Sequence, residues 1–328
     1  MEIIHYSRCR MVPTPSTLAA SLGLLAPWDE DGQAAPVRVE FGDFDHKDDR
    51  LWMRHAGSSK STWARSEGAD TRVVALSAWQ SSEPVHVRAD SGIRTPADLR
   101  GRRVALARVA GRVFDVDRHV YLLPLYNCLS SAGLGLADVV LVDTAFERPK
   151  IQDERTVEPR NFFEQAAEVF AGQLLAGAVD AFVGVLPPPL AGDGRLALLY
   201  DPRQDSRPAA RGELRALTVS GPLLREHRPL VVRAVARLLE AQRWAAAHPG
   251  EVASRVAREL HLSAQALQAR EIDFDSWAQV DCSAQQIACL RARKDALMAM
   301  GSITKDFSVE EWVDPTVMAQ ARSLLAPR

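Results

Sequence analysis

The chain is poor in cysteine, and its few cysteines follow no pattern that binds metal or forms a disulfide framework. Among its 328 residues there are four, Cys9, Cys128, Cys282 and Cys289. No pair is separated by only two residues, and no histidine accompanies them at zinc-finger spacing. We therefore expect no metal site, and the composition is typical of a protein from a reducing, cytoplasmic compartment.

Charge of either sign is not in excess, and long apolar runs are missing. Forty basic residues stand against 42 acidic ones, which gives a formal charge of -2. Nucleic-acid binding needs a clustered excess of Lys and Arg, so no nucleic-acid partner is expected. No apolar run reaches the length of a membrane span, and the N-terminus lacks the basic and apolar regions of a secretion signal. We expect a cytoplasmic monomer without a membrane partner.

A short N-terminal stretch is the most informative part of the sequence. An apolar segment that predicts the first strand ends at Cys9, which stands between Arg8 and Arg10. Two prolines follow, and a helix rich in Leu and Ala is predicted over residues 17–25, with Ser16 as its N-cap. A thiol between a strand and a helix N-terminus, beside two guanidinium groups, is favoured as thiolate. The alternative is that Cys9 is a small buried hydrophobic residue, as free cysteines often are.

Residues 42–68 form a second unusual segment, rich in both tryptophan and histidine. It contains His46, Trp52, Arg54 and His55 close together. Binding residues concentrate on loops that a rigid scaffold positions, so this segment is a candidate for ligand contact. Trp52 is a candidate wall of an aromatic pocket because it neighbours Arg54. The alternative is that the charged part of the segment forms a solvated helix.

Strand and helix patterns alternate along the chain as far as Pro222, after which the pattern is helical. Such alternation predicts an α/β protein with mostly parallel sheets. The predicted strands form two clusters with a return strand near residue 214, which indicates two α/β lobes with a ligand cleft at the strand ends. We assign residues 1–103 together with 212–328 to the first lobe, and residues 104–211 to the second.

Three segments resemble the type II periplasmic binding proteins of the sulfonate, taurine and thiamine-pyrimidine kind. Residues 93–104 are similar to the segment in which their chain crosses between lobes. Residues 172–181 are similar to a helix-to-strand step before their cleft, and residues 229–249 to their C-terminal helices. The resemblance implies a two-lobed fold with a ligand cleft between the lobes, and it specifies the fold better than the function.

A narrower resemblance concerns one enzyme family on that fold, the aryl-sulfinate desulfinases. Tyr6-Ser7-Arg8-Cys9, followed by a proline-containing turn and a Leu-rich helix, is similar to the segment that contains their nucleophilic cysteine. His46, Arg54 and Gly57 follow in the order in which that family places a histidine, an arginine and a glycine. The resemblance implies cleavage of the C–S bond of an organic sulfinate, with release of sulfite and without a cofactor.

The resemblance also implies a chemical role for each of these residues. Arg54 would hold the two sulfinate oxygens with its guanidinium fork, and the N–H of Gly57 would approach them without a side chain in the way. Cys9 would either attack sulfur as a nucleophile or donate a proton to the ring carbon, and the sequence leaves both open. His46 would hold Cys9 in its working protonation state, with His55 as the alternative.

Arg8, Trp52 and His55 complete the predicted substrate site around Gly57. The sequence departs from the family in two respects: the spacing from the histidine to Arg54 is shorter, and the residues after His46 are charged where the family is aromatic. We therefore expect a small anionic substrate that is smaller or more polar than a biphenyl sulfinate.

Two other functions stay open. The first is a non-catalytic solute-binding protein for a sulfonate-like or heterocyclic anion, although such proteins are exported when they serve transport. The second is an iron-dependent enzyme similar to the thiamine-pyrimidine synthases, with His5, His46 and His55 as ligands but without the Cys-rich cluster of those synthases. Sulfite release that depends on Cys9 separates the first from a desulfinase, and inactivation by a chelator would indicate the second.

Overall fold

A computed structural model gives the architecture of residues 4–9, 13–25, 37–39, 50–79, 83–147, 162–207, 213–260, 267 and 274–326. In chain order its strands are β1 (Ile4–Arg8), β2 (Val37–Val39), β3 (Trp52–Gly57), β4 (Thr71–Trp79), β5 (Val85–Arg88), β6 (Arg103–Val109), β7 (Val140–Phe146), β8 (Ala181–Val183), β9 (Leu196–Tyr200), β10 (Glu213–Ser220) and β11 (Val280–Asp281).

Most of the helices lie in the C-terminal part of the chain. They are α1 (Pro15–Ser21), α2 (Ser58–Ser66), α3 (Val116–Ser131), α4 (Phe162–Leu175), α5 (Pro188–Ala191), α6 (Gly221–Glu226), α7 (Arg228–Ala247), α8 (Pro249–Glu259), α9 (Phe274–Trp277), α10 (Ala284–Ala299), α11 (Val309–Trp312) and α12 (Pro315–Leu324). Short 3-10 turns lie at Pro96–Leu99, Leu136–Asp138 and Pro202–Gln204.

The strands form two separate sheets, which confirms the predicted α/β fold with two lobes. The first sheet has six strands in the order β11-β4-β10-β3-β1-β2, and the second has five in the order β7-β6-β8-β5-β9. Because most connections within each sheet pass through helices, both faces of the central strands are covered.

The sheets are mixed rather than mostly parallel, and this corrects the prediction from the alternating pattern. β1 runs parallel to β2 and β3, and β6 runs parallel to β7 and β8. β10 is antiparallel to β3 and β4, and β5 is antiparallel to β8 and β9. β5 and β10 are the strands at which the chain passes from one sheet to the other. Each of these two strands runs antiparallel to its neighbours in the sheet that it enters.

Each sheet has its own hydrophobic core. Residues around the first sheet form one cluster, with Trp277 and Trp312 among its largest buried side chains. A second cluster surrounds the other sheet and contains Phe170 and Phe182. Full burial of a large apolar side chain stabilises the fold by about 1.5–3 kcal/mol, so each lobe has its own source of stability.

The second sheet begins earlier in the sequence than the proposed lobe boundary at residue 104, because β5 pairs with β8 and β9 in that sheet. The return to the first sheet at β10 lies close to the proposed boundary at residue 212. The division into lobes by residue number stays a prediction.

The start of α1 differs from the sequence prediction for a local reason. The helix begins at Pro15 with Thr14 as its N-cap, and Thr14 and Thr17 form a reciprocal capping box. Proline is favoured at the first helical position because it lacks the N–H that would be unsatisfied there. Ser16 therefore lies inside the first turn, where its hydroxyl is available for another partner.

In the part of the chain that the structure describes, none of the helices is long and apolar enough to cross a bilayer. The same residues contain no group of three or more His, Cys, Asp or Glu side chains arranged to hold a metal ion.

Candidate functional site

Cys9 lies at the carboxyl end of β1, directly against β3. Its amide donates a hydrogen bond of 3.0 Å to the carbonyl oxygen of His55. In the parallel register Ser7 faces Arg54 and Arg8 faces His55. The thiol is free and half-buried. The structure thus places the predicted cysteine beside the segment with the predicted arginine and glycine, because adjacent strands are about 4.8 Å apart.

Gly57 is the turn between β3 and α2. It is the N-cap of α2, so the first amides of that helix, from Ser58 to Lys60, begin immediately after it. The first amides of a helix have no intrahelical acceptor, and the helix dipole adds partial positive charge there. The hydroxyl of Ser58 is fully buried and has no hydrogen-bond partner among the described residues. A strand that leads into a helix in this way can receive an anion.

Arg54 is half-buried in the middle of the first sheet. Its register partners are Ser7 on β1 and Thr218 on β10. Both neighbours are small, so the long arginine side chain has room beside them on that face. Arg54 lies three positions before Gly57, on the strand that leads into α2.

His55 is fully buried, and its ring is tied to α1. Nδ1 of His55 and Oγ of Ser16 share a hydrogen bond of 2.6 Å. Burial, and to a lesser extent the charge of Arg215, lowers the pKa of His55 to about 3. The ring is therefore neutral at neutral pH, and its Nε2 has no hydrogen-bond partner among the described residues. Its carbonyl, rather than its ring, contacts Cys9.

Tyr6 lies next to this histidine and serine. Burial raises the pKa of Tyr6 to about 12. Ser16 connects the buried ring of His55 on β3 to the first turn of α1. This contact between Ser16 and His55 was not predicted from the sequence, in which Ser16 is expected to be a helix cap.

Two of the other predicted residues, Arg8 and Trp52, are directed elsewhere by the described structure, and the position of a third is not tested. Arg8 forms an ion pair with Glu259 of α8. Trp52 is 1% exposed and begins β3, five positions before Gly57, which corresponds to about 16 Å along a strand. His46 lies outside the described residues.

Two arginines near the turn were not singled out from the sequence. Arg215 is 3% exposed and faces Gly57 on one side and Ser77 on the other. Arg293 of α10 is buried and donates a hydrogen bond of 3.3 Å to Oγ of Ser59 in the first turn of α2. The available signal was a single charged residue within the apolar run of β10. Arg215 and Arg293 together place further positive charge around the start of α2.

The second lobe reaches the same helix through an aromatic contact. Phe114 follows β6, and its ring stacks on Trp63 of α2 with a centroid distance of 5.6 Å and an interplanar angle of 25°. The other face of Phe114 stacks on His119 of α3 at 4.2 Å and 20°. The two lobes therefore meet at α2, the helix that begins at Gly57.

No protein-family model matches the chain. Curated 2'-hydroxybiphenyl-2-sulfinate desulfinases from Rhodococcus erythropolis and Rhodococcus qingshengii are each 26% identical to it over 271 residues, covering 75% of this chain and 73% of the relative.

Solved structures extend the comparison over nearly the whole chain. The crystal structure of the desulfurization enzyme DszB has a TM-score of 0.70 at 23% identity and covers 99% of this chain and 100% of that one. The periplasmic aliphatic sulphonate-binding protein SsuA from Escherichia coli has a TM-score of 0.63 at 16% identity, with 96% and 92% covered. The chain thus has the two-lobed fold of type II periplasmic binding proteins, and in sequence it resembles the 2'-hydroxybiphenyl-2-sulfinate desulfinases.

Proposed function

We propose that the protein is a desulfinase that cleaves the C–S bond of an organic sulfinate and releases sulfite without a cofactor. One observation carries the proposal: the amide of Cys9 is bonded to His55, beside the turn in which Arg54 and Gly57 lead into α2. The likeness in sequence to curated sulfinate desulfinases supports the same reaction class.

In the proposed reaction, a sulfinate and water give a hydrocarbon and hydrogen sulfite. The C–S bond breaks, one proton ends on carbon, and the oxygen of water ends on sulfur. Atoms and charge balance without an external oxidant or reductant. The protein then has to bind the anion, supply the proton to carbon and assist the departure of sulfur.

The anionic end of the substrate would bind at the start of α2. Arg54 supplies a planar fork that matches two sulfinate oxygens, and charge-assisted hydrogen bonds of this kind are stronger than neutral ones. The first amides of α2 and the buried hydroxyl of Ser58 supply further donors. Gly57 allows an oxygen to approach the backbone closely because it has no side chain.

Cys9 would act by one of two routes, and atoms and charge balance in both. As a nucleophile, its sulfur bonds to the sulfinate sulfur while the thiol proton passes to carbon, and water then releases hydrogen sulfite from the S–S bond and restores the thiol. As an acid, Cys9 donates its proton to carbon, sulfur dioxide departs and is hydrated, and the thiolate is reprotonated.

We keep His46 as the proposed partner of Cys9. The ring of His55 is bonded to Ser16 and resists protonation, since the pKa of His55 is lowered to about 3. His55 then contributes through its carbonyl, which orients Cys9. Arg8 and Trp52 would act on the site through the strands β1 and β3 that they anchor.

Sulfite release from a panel of aryl and alkyl sulfinates tests the proposal. The panel runs from methanesulfinate to biphenyl-2-sulfinate, and we expect the smaller or more polar members to be preferred. Cys9→Ser should abolish sulfite release, whereas Cys289→Ser, a change at another half-buried free thiol, should not. Turnover by Cys9→Ser would contradict the proposal, and loss of turnover with a chelator would contradict its cofactor-free form.

A second candidate is a solute-binding protein for sulfonate-like anions. The likeness in fold to the sulphonate-binding protein SsuA favours it. Calorimetric binding of sulfinates and sulfonates, with no sulfite from any sulfinate, would favour this function over the desulfinase.

We further propose that the protein works as a monomer in the cytoplasm. All four cysteines are free thiols, as expected in a reducing compartment. Size-exclusion chromatography with light scattering tests the oligomeric state, and a stable dimer would contradict it.

A further inference from the structure

The ring of Phe114 occupies an unusual position for a residue in a connecting segment. Its neighbour Val113 is 88% exposed, whereas Phe114 is only 7% exposed. The reason is that Phe114 lies between Trp63 and His119, with both neighbouring rings within 25° of parallel. We call Trp63, Phe114 and His119 the inter-lobe stack.

A polar contact accompanies the inter-lobe stack. Arg293 of α10 donates a hydrogen bond to Ser59, one turn before Trp63 on α2. Burial lowers the pKa of His119, and α10 itself packs against α3. The hydrogen bond at Ser59 ties α2 to α10 within the first lobe, and the ring contact at Trp63 joins α2 to the second lobe.

The position of α2 matters because its first turn is the proposed anion site. Trp63 is five residues after Ser58, which corresponds to about 7.5 Å along the helix axis. A helix of this length behaves as a rigid body over such a distance. A ring held at Trp63 therefore limits the tilt of the amides at the start of the helix.

We propose that Phe114 is a positioning residue, through which the second lobe holds α2 in the orientation that binds the anionic group. This inference rests on the proposed function, since it concerns the same anion site. Without the inter-lobe stack, α2 samples more orientations. The apparent affinity for the anionic group then falls in proportion to the population of the orientation of α2 that binds it.

Three variants test the inference. Phe114→Ala removes the ring, Phe114→Tyr keeps both stacking faces, and Val113→Ala shortens the exposed neighbour on the same segment. Neither Phe114 nor Val113 belongs to the proposed catalytic group. Thermal unfolding of each variant first establishes that it is folded.

Hydrogen exchange in the unliganded protein is the first measurement. We expect faster exchange of α2 amides in Phe114→Ala, with Phe114→Tyr and Val113→Ala close to the wild type. The second measurement is calorimetric binding of benzenesulfonate, a sulfonate probe, for which we expect about a tenfold weaker affinity in Phe114→Ala and recovery in Phe114→Tyr. A folded Phe114→Ala protein with unchanged α2 exchange and unchanged affinity would overturn the inference.

The two measurements separate failure of this inference from failure of the proposed function. If the wild type releases no sulfite and binds no benzenesulfonate, the proposed function fails, while exchange in the unliganded protein still decides whether Phe114 holds α2. If the wild type is active and α2 exchange is the same in Phe114→Ala, only the role of Phe114 is overturned.

Discussion

The amide of Cys9 donates to the carbonyl oxygen of His55, and the ring of the same histidine is bonded to Ser16. One residue therefore links the thiol-bearing end of β1 to the first turn of α1. The contact with Cys9 is through the backbone of His55, and the side chain of His55 fixes β3 against α1. We therefore expect substitutions of Ser16 or of the His55 ring to change activity by shifting the position of Cys9.

Ser16→Ala should destabilise the protein and reduce turnover. The change leaves the buried Nδ1 of His55 without its partner, which costs about 1–3 kcal/mol. Urea denaturation and sulfite release are the measurements. Ser21→Ala, on the same helix, removes a hydroxyl that donates a hydrogen bond to the carbonyl oxygen of Leu18, and it serves as the control. Equal stability of the two variants would contradict the role assigned to Ser16.

Acid should destabilise the fold partly through His55. The pKa of this group is lowered from 6.5 to about 3, mainly by burial, so between these values the unfolded chain binds a proton that the folded chain does not. The free energy of unfolding therefore falls as pH drops below 6.5, by about 1.4 kcal/mol per pH unit for one such proton. The same direction applies to His86, whose pKa burial lowers to about 4.

The variant His55→Gln isolates this contribution, because an amide can still bond to Ser16 but does not titrate. We expect a shallower fall of unfolding free energy between pH 6 and 4 in His55→Gln than in the wild type. His248→Gln, at an exposed position, should keep the slope of the wild type. An unchanged slope in His55→Gln would mean that His55 titrates normally in the folded protein.

Arg54→Lys should weaken binding of the anionic substrate although the charge is kept. An ammonium group cannot form the two parallel hydrogen bonds of a guanidinium fork, and we expect a loss of about tenfold or more in affinity. Calorimetry with a sulfinate in a Cys9→Ser background measures binding without turnover. Arg50→Lys, at an exposed position just before β3, is the matched control. Equal affinities would remove Arg54 from the anion site.

Gly57→Ala should bind substrate more weakly while remaining as stable as the wild type. The backbone of Gly57 has φ -53° and ψ 139°, a conformation open to any residue, so a methyl group adds no backbone strain. What it adds is a steric obstacle to an oxygen approaching the α2 amides, and Gly57→Val should weaken binding further. Gly172→Ala, in open space on α4, should leave the affinity unchanged. Wild-type affinity in Gly57→Val would contradict close approach at this turn.

The sequence was informative where local pattern determines structure. The apolar runs of β4, β5 and β10 predict strands, and Cys9 is correctly predicted at the end of a strand before a helix. β3 is missed, because Arg54 and His55 interrupt its apolar pattern although the strand lies between β1 and β10. A strand buried by its neighbours does not need the alternation that marks a half-exposed one.

Long-range pairing accounts for most of what the sequence could not predict at the site. Arg215 faces Gly57 only because β10 returns to the first sheet beside β3. The ion pair of Arg8 with Glu259 likewise joins residues that are far apart in the chain. It directs toward α8 the positive charge of Arg8, which was predicted from the sequence to act on the Cys9 thiol. Registers between distant strands and helices leave no local trace in the residues that they bring together.

The position of β10 in the first sheet has a consequence for synthesis on the ribosome. β10 separates β3 from β4, yet it is translated after every strand of the second sheet. The second lobe can therefore acquire all its strands while the first still lacks the strand that joins its halves. During translation the N-terminal segment, with Cys9 at its strand end, must therefore wait for the later chain before its sheet can close.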